Sequence, residues 1–313
     1  MQYFFERRGS MFLVIVLYAV FSGMTFINSA LMAGNPYPLI VGMIRAVGSG
    51  IIILTLVGLI KREKIRDFKL TFIQWRWLIL YGVLIHAIGM FGFSWSVLYG
   101  NPVTLCFIFA TAPFLTAIIQ YGYGQERLST QKAVGLLVGS VGLLPILLKD
   151  SSTAYTHASG TSHAWFMSNG VAIGSMVLFC YGWVVFKKLL HTTKYSIQLL
   201  NGMAMSIGGI LSTVLVICLY GSSVFQLPYT DKFSFLMGVF LLSSLMTYSL
   251  YAYLLQTFSP TFISFAGFLE PAFGMIYGYF LTNYRVTGID LAAFLVLFLG
   301  LYIFYLDELK KKP

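Results

Sequence analysis

Residues 102–143, PVTLCFIFATAPFLTAIIQYGYGQERLSTQKAVGLLVGSVGL, and residues 260–301, PTFISFAGFLEPAFGMIYGYFLTNYRVTGIDLAAFLVLFLGL, set the architecture of this chain. Pro102 and Pro260, Pro113 and Pro271, Arg127 and Arg285, and Gly142 and Gly300 are all separated by the same offset of 158. The same shift pairs Phe107 with Phe265, Ile118 with Ile276, Tyr121 with Tyr279, Leu137 with Leu295, Val138 with Val296 and Leu143 with Leu301. Apolar alphabets match easily by chance, so the prolines, the arginine and the glycine carry the weight. Each copy is an apolar run with an internal proline, a polar turn and a second apolar run. The chain therefore divides into two related halves, 1–155 and 156–313.

The rest of the sequence is of the same material. Of 313 residues, 58% are hydrophobic and 10% charged, with mean hydropathy +0.83, against roughly 25% charged residues in a soluble domain. A bilayer-spanning helix takes about 20 apolar residues. Runs of that kind cover 11–31, 38–60, 77–99, 101–122, 132–148, 168–187, 196–220, 233–256, 258–282 and 288–306. The first follows Arg7 and Arg8 but has no small-residue cleavage site, so it reads as a retained helix and not a signal peptide. Ten spans leave no room for a separate catalytic domain. The expected fold is an all-α polytopic membrane protein of ten transmembrane helices.

Charge orients these spans. Arg7, Arg8, Lys61, Arg62, Lys64, Arg66, Lys69, Arg76, Arg127, Lys132, Lys187, Lys188, Lys194, Lys310, Lys311 and Lys312 fall on one side, and only Lys149, Lys232 and Arg285 on the other. Cytoplasmic loops carry the excess of Lys and Arg, which predicts cytoplasmic N and C termini. The formal charge of +10 thus reflects topology, and no wettable basic patch for nucleic acid is expected. Five spans per half is an odd number, so the second half enters the membrane upside down. Inverted repeats of this kind recur in secondary transporters. Pro113 and Pro271, deep in their spans, each remove a backbone hydrogen bond and are expected to act as helix breaks or hinges.

With these features the chain resembles the drug/metabolite transporter superfamily, specifically its EamA-type ten-helix carriers. The resemblance covers essentially the whole chain. It rests on Pro113, the turn Gly124-Gln125-Glu126-Arg127-Leu128-Ser129 and Gly142, repeated as Pro271, Asn283-Tyr284-Arg285-Val286-Thr287 and Gly300. The second copy departs from the family pattern, with Tyr284 where a glutamate is expected and with Glu270 directly before Pro271. The resemblance implies a central cavity lined by helices one to four and six to nine, with helices five and ten at the periphery. It also implies transport of amino acids, amines, nucleotide-linked metabolites or, as in carriers of some intracellular bacteria, S-adenosylmethionine.

Ionisable groups inside a span are costly and are functional candidates by default. Glu270, His86 and Arg45 are the deep ones here, whereas Asp290 is expected at an interface. Three roles fit Glu270: a direct contact to a cationic substrate, a protonatable coupling group, or a pair with Arg45 that fixes packing. His86 has the alternative of a simple bond to a backbone carbonyl. At 100° per residue, Gly82, Gly89, Met90 and Phe93 share a stripe with His86, and the offset maps these to Phe240, Thr247, Tyr248, Tyr251 and Ser244. Phe21, Thr25 and Asn28 share a face of the first helix, mapping to Phe179, Trp183 and Phe186. The expected substrate site is therefore Glu270, Arg45, His86, Asn28, Phe93, Tyr248, Tyr251 and Trp183. Such a lining suits a zwitterion with an extra positive charge and a ring: carboxylate on Arg45, ammonium or sulfonium near Glu270, ring stacked on Tyr251, Trp183 or Phe93.

The expected function is a secondary transporter or exchanger of a small zwitterionic or cationic metabolite, S-adenosylmethionine or an amino acid, in the inner membrane. An organic-cation or drug exporter of the same fold is the alternative, and a passive channel a weaker one, for want of charged rings or a carbonyl-loop filter. His86, His157, His163 and His191 form no HExxH pair, no Cys/His cluster exists and no Gly-rich phosphate loop precedes a helix, so no enzyme, metal or cofactor is expected. Ser159-Gly160 and Ser162-His163 read as loop chemistry. Cys106, Cys180 and Cys218 sit in apolar runs, where buried packing is expected. Gly135/Gly139, Gly170/Gly174 and Gly274/Gly278 have the spacing for close helix approach, within a monomer or across a homodimer. The partners expected are the lipid bilayer and a small-molecule substrate.

Overall fold

The computed structural model describes residues 2–33, 35, 37, 39–61, 69–123, 129–148, 166–226, 230–258 and 260–310. Expectations that fall on Arg62, Lys64, Arg66, residues 124–128 with Arg127, Lys149, His157, Ser159, Gly160, Ser162, His163, Lys311 and Lys312 lie outside the described residues.

All regular structure among the described residues is helical. In chain order the elements are α1 (Gln2–Met32), α2 (Ile40–Leu56) with a π-helical turn (Val57–Lys61), and α3 (Phe72–Tyr81), which continues through a π-helical segment (Gly82–Gly89) into α4 (Met90–Tyr99). Next come α5 (Pro102–Phe109), α6 (Ala112–Gly122), α7 (Thr130–Leu148) and α8 (Val171–Thr192), the last preceded by a π-helical turn (Phe166–Gly170). After α9 (Ile197–Tyr220) and a 3₁₀ turn (Ser222–Gln226) follow α10 (Asp231–Thr257), α11 (Pro260–Phe265), a 3₁₀ turn (Ala266–Phe268), α12 (Leu269–Thr282) and α13 (Gly288–Lys310). Among these residues, eight helical stretches are long and apolar enough to cross a membrane, from Phe12–Met32 to Asp231–Gln256, and Gly288–Phe304 is a shorter apolar helix.

Several helices start earlier than their apolar runs. The run expected from 77 begins at Phe72, because Thr71 accepts from the Gln74 amide at 3.3 Å while Gln74 accepts from the Thr71 amide at 2.9 Å. This reciprocal cap satisfies amides that the first turn leaves orphaned. Thr230 likewise opens α10 at Asp231, ahead of the run expected from 233, by accepting from the Phe233 amide at 3.2 Å. Hydropathy does not register such polar starts.

Pro113 and Pro271 each sit just after a break, whereas Pro145 lies within the continuous α7. The α5 helix ends at Phe109 and α6 resumes at Ala112, with Thr111 bonded back to Ile108 at 3.0 Å in a tighter turn. A 3₁₀ turn, Ala266–Phe268, stands in the same place before Pro271. A proline has no amide for the carbonyl four residues back and its ring clashes with it, here Phe109 and Gly267 respectively.

The helices α7 and α13 pack along each other. A Cβ added to Gly300 would lie 2.7 Å from the carbonyl oxygen of Gly135, and one on Gly142 would lie 2.8 Å from the Leu297 amide nitrogen, so only glycine permits this approach. Gly274 meets Cys106 and Gly278 meets Val103 in the same manner within the chain, whereas Gly174 faces open space. Leu137, Leu148 and Leu295 on the outer faces are exposed, as lipid-facing residues are. Cys106 and Cys180 are buried, but Cys218 is exposed, correcting its expected burial. It projects from an apolar helix toward the outside, where a small weakly polar thiol costs little.

At the turn into α13, Asn283 adopts a left-handed conformation (φ 52°), and the Tyr284 amide bonds back to the Gly278 carbonyl at 2.9 Å. Asp290, in the first turn of α13, is fully buried against the protein. It accepts from the Tyr284 hydroxyl, the Thr287 amide and the Thr287 hydroxyl, each at 2.8 Å. Burial first, and then this bond to Asp290, pushes the Tyr284 phenol above its ordinary range. The residue that replaces the family's glutamate thus holds the turn through its neighbour.

Candidate functional site

The buried apolar side chains form two clusters, one around Phe107 and Phe240 and the other around Leu78, Phe186 and Met205, with Phe179 packed against both. Between them lies a cavity of about 70 Å³. It is lined by Tyr18, Phe21, Met24 and Thr25 of α1, Met90 and Phe93 of α4, Phe109 and Ala112 at the break before Pro113, Met176, Phe179, Cys180 and Trp183 of α8, Tyr248 and Tyr251 of α10, Ser264 of α11, and Glu270 of α12. Trp183 stacks on Tyr251 with centroids 4.0 Å apart and lies 5.8 Å from Tyr248. Phe21 approaches both tyrosines edge-on, at 6.3 and 6.4 Å. The result is an aromatic box with one carboxyl group.

The two proline breaks deliver that carboxyl and its counterpart. Glu270 is 5% exposed, with its Oε2 lacking a hydrogen-bond partner. Its backbone carbonyl accepts from Ser22 Oγ at 3.1 Å. Exchanged between the halves by the offset of 158, Ser22 becomes Cys180 and Glu270 becomes Ala112, and Cys180 Sγ indeed donates to the Ala112 carbonyl at 3.6 Å. The same shift relates most of the lining: Tyr18 to Met176, Phe21 to Phe179, Thr25 to Trp183, Met90 to Tyr248, Phe93 to Tyr251 and Ala112 to Glu270.

Of the residues expected in the site, Glu270, Phe93, Tyr248, Tyr251 and Trp183 come together on the cavity, and Arg45, His86 and Asn28 stand behind its wall. Arg45 is fully buried, donates from Nη1 to Ser244 Oγ at 3.0 Å and lies 5.2 Å from the Tyr248 ring centre. No carboxylate among the described residues pairs with it, so the packing pair between Glu270 and Arg45 is not formed. His86 lies 5.0 Å from Tyr248 and 5.4 Å from Tyr81. Its displacement from the Met90 and Phe93 stripe has a physical cause: the segment Gly82–Gly89 is π-helical, and its wider turn breaks the 100° phase that the stripe assumes. His86 instead packs on α9, where a Cβ on Gly208 would come 2.5 Å from the His86 Cβ. Asn28 donates to Ser94 at 3.5 Å, one turn beyond the cavity.

Sequence reasoning missed Tyr18, Met24, Phe109, Ala112, Met176, Cys180 and Ser264 as lining residues. Tyr18 continues the Phe21 and Thr25 face one turn earlier, and its offset partner Met176 would have followed. Phe109 and Ala112 required the backbone break to be seen.

The helices, the seam between the two clusters and the box with its carboxyl define a membrane carrier class, and the chain belongs to the EamA-like transporter family, matched over residues 9–148 and 167–306. It is a multi-pass membrane protein of a transporter family, not an enzyme family. Among proteins of known activity it is similar to the S-adenosylmethionine/S-adenosylhomocysteine transporter of Chlamydia trachomatis serovar D, 28% identical over 290 residues, which is 88% of this chain and 82% of that protein. The Chlamydia muridarum transporter of the same name is 29% identical over 296 residues, 91% of this chain and 87% of its own. A protein known from a crystal structure has the same fold, with TM-score 0.67 and 13% identity over 96% of this chain and 97% of that one.

Proposed function

We propose that this protein is a secondary carrier that moves S-adenosylmethionine, in exchange for S-adenosylhomocysteine, across the inner membrane by alternating access. In this reading the ten apolar runs are ten spans, arranged as inverted five-helix repeats over 1–155 and 156–313 with both termini cytoplasmic. The family match in two stretches, the one-sided distribution of basic residues and the lining residues related by one offset all support that arrangement. The observation that carries the substrate reading is the buried, unpartnered Glu270 Oε2 beside stacked Trp183 and Tyr251. A sulfonium is a soft cation suited to a carboxylate and aromatic faces, and an adenine ring is suited to stacking. The names of the chlamydial relatives point to the same molecule.

The cavity of about 70 Å³ is small beside the roughly 300–1,000 Å³ of ligand pockets. In this reading the conformation is a contracted one, and the carrier opens to load. Alternate breaks at Pro113 and Pro271 supply two matched places at which it bends. An organic-cation exporter draws on one observation, the seclusion of Arg45 from the cavity. Counterflow in liposomes preloaded with unlabelled S-adenosylmethionine decides. Uptake of labelled S-adenosylmethionine that collapses in Glu270→Gln is expected; uptake of lipophilic cations alone assigns the exporter, and no uptake of either refutes the substrate.

A further inference from the structure

Behind the cavity wall lies a cluster that the reading above leaves unused. Arg45 is fully buried, and its Nε and Nη2 have no hydrogen-bond partner. One helical turn on, the fully buried Ser49 has an unpartnered Oγ. His86, also fully buried, sits beside Asn201 and has no other partner at its ring nitrogens. The guanidinium, a fixed positive charge, carries five donors and no acceptor, and the Ser49 hydroxyl and a neutral His86 can each contribute one more donor. Such a charge in a membrane interior is costly without a counter-anion, and no carboxylate among the described residues supplies one.

The Tyr248 ring stands between this cluster and the cavity. It lines the Glu270 cavity, while Arg45 lies 5.2 Å and His86 5.0 Å from its centre. Ser244, one turn before Tyr248 on α10, takes the single Arg45 hydrogen bond. Displacement of this one ring would therefore expose the unpaired guanidinium to the cavity that holds the unpaired carboxyl.

We infer that Tyr248 is a movable partition and that Arg45, with Ser49 and His86, forms a site for a monovalent anion behind it, occupied by the carboxylate of the transported zwitterion once the partition swings. This deepens the proposed function and rests on it for the zwitterion. The same chemistry would accept a free halide, and the test separates the two sources. The loaded substrate then spans from Glu270, which takes its cation, to Arg45, which takes its carboxylate, and this discriminates against cations that lack a carboxylate.

The test uses purified full-length protein, with binding of S-adenosylmethionine and of its decarboxylated counterpart measured in chloride and in gluconate buffers. The wild type is expected to prefer the carboxylate-bearing ligand by about 10- to 100-fold, the worth of one charged hydrogen-bonded contact. Arg45→Gln is expected to erase that preference, with the decarboxylated form binding variant and wild type alike. Thermal stabilisation of the wild type by chloride over gluconate that disappears in Arg45→Gln, without a carboxylate preference, supports the anion site and assigns a halide to it. Equal weakening of both ligands, or no response to carboxylate and chloride alike, overturns the inference. If Arg45→Gln does not fold, Arg45→Lys keeps the charge but loses the planar fork; the preference is then expected to fall about tenfold, and an unchanged preference refutes the site. If the wild type binds neither nucleoside, the substrate reading fails and the chloride arm alone judges the anion site.

Discussion

Met90, Phe93 and Ala112 line one part of the cavity, and Tyr248, Tyr251 and Glu270, each 158 positions later, line another. The backbone frame is the same in both, down to the side-chain bond that Ser22 makes to the Glu270 carbonyl and Cys180 to that of Ala112. The chemistry is not. The earlier set is thioether, phenyl and methyl; the later is two phenols and a carboxyl group. In a low-dielectric interior a second carboxylate would repel the first and cost several kcal/mol to desolvate, so in the proposed carrier recognition is concentrated on one copy. Under the proposed function the matched frame serves motion, and the unmatched lining serves the ligand.

This contrast is broken most sharply at its most unequal pair. Glu270→Gln is expected to lower counterflow efficiency by about 100-fold, as loss of one partner of a buried charged contact does; Ala112→Ser at the equivalent position should change it less than about threefold, since one small hydroxyl adds no charge. Equal effects at both would show that the two copies share the substrate evenly. Away from the cavity, Gly300→Ala drives a methyl into the Gly135 backbone and is expected to cost about 2 kcal/mol by overpacking. Its thermal midpoint should fall while the Michaelis constant of the remaining carrier holds, which a peripheral α7–α13 pair requires. Trp183→Ala removes the face stacked 4.0 Å from Tyr251 and is expected to weaken substrate binding about tenfold. Thr25→Ala, its counterpart in α1, should stay within about twofold.

Much of this was legible in the sequence because membrane helices reveal themselves by apolar length, and a repeat reveals itself by its offset. The stripes carrying Met90 and Phe93, and Tyr248 and Tyr251, fell on the cavity as expected, since α4 and α10 are regular helices there. His86 did not, because nothing in hydropathy marks the π-helical segment, which lies close against α9 at Gly82 and Gly208. Arg45 lay behind the wall for a related reason: sequence gives depth in the bilayer, while a tyrosine on another helix decides what that depth faces. Phe109 and Ala112 were invisible until the break before Pro113 was resolved.

The smallest effect concerns the turn into α13, where the second copy departs from the family pattern. Tyr284 donates to Asp290 at 2.8 Å and Asp290 also holds the Thr287 amide, so Tyr284→Phe removes one of several bonds to a buried carboxylate. A loss of about 1 kcal/mol is expected, read as a lower thermal midpoint with counterflow unchanged. The phenol is held above its ordinary range by burial and by Asp290, so the wild type's advantage is full below the unfolded tyrosine value of about 10 and shrinks as the pH rises through the higher folded value. Ionised Tyr284 could no longer donate to Asp290 and would repel it. The midpoints of wild type and variant should therefore converge in strong alkali, and a gap that stays constant would show that the ring's packing, and not its hydroxyl, holds the turn.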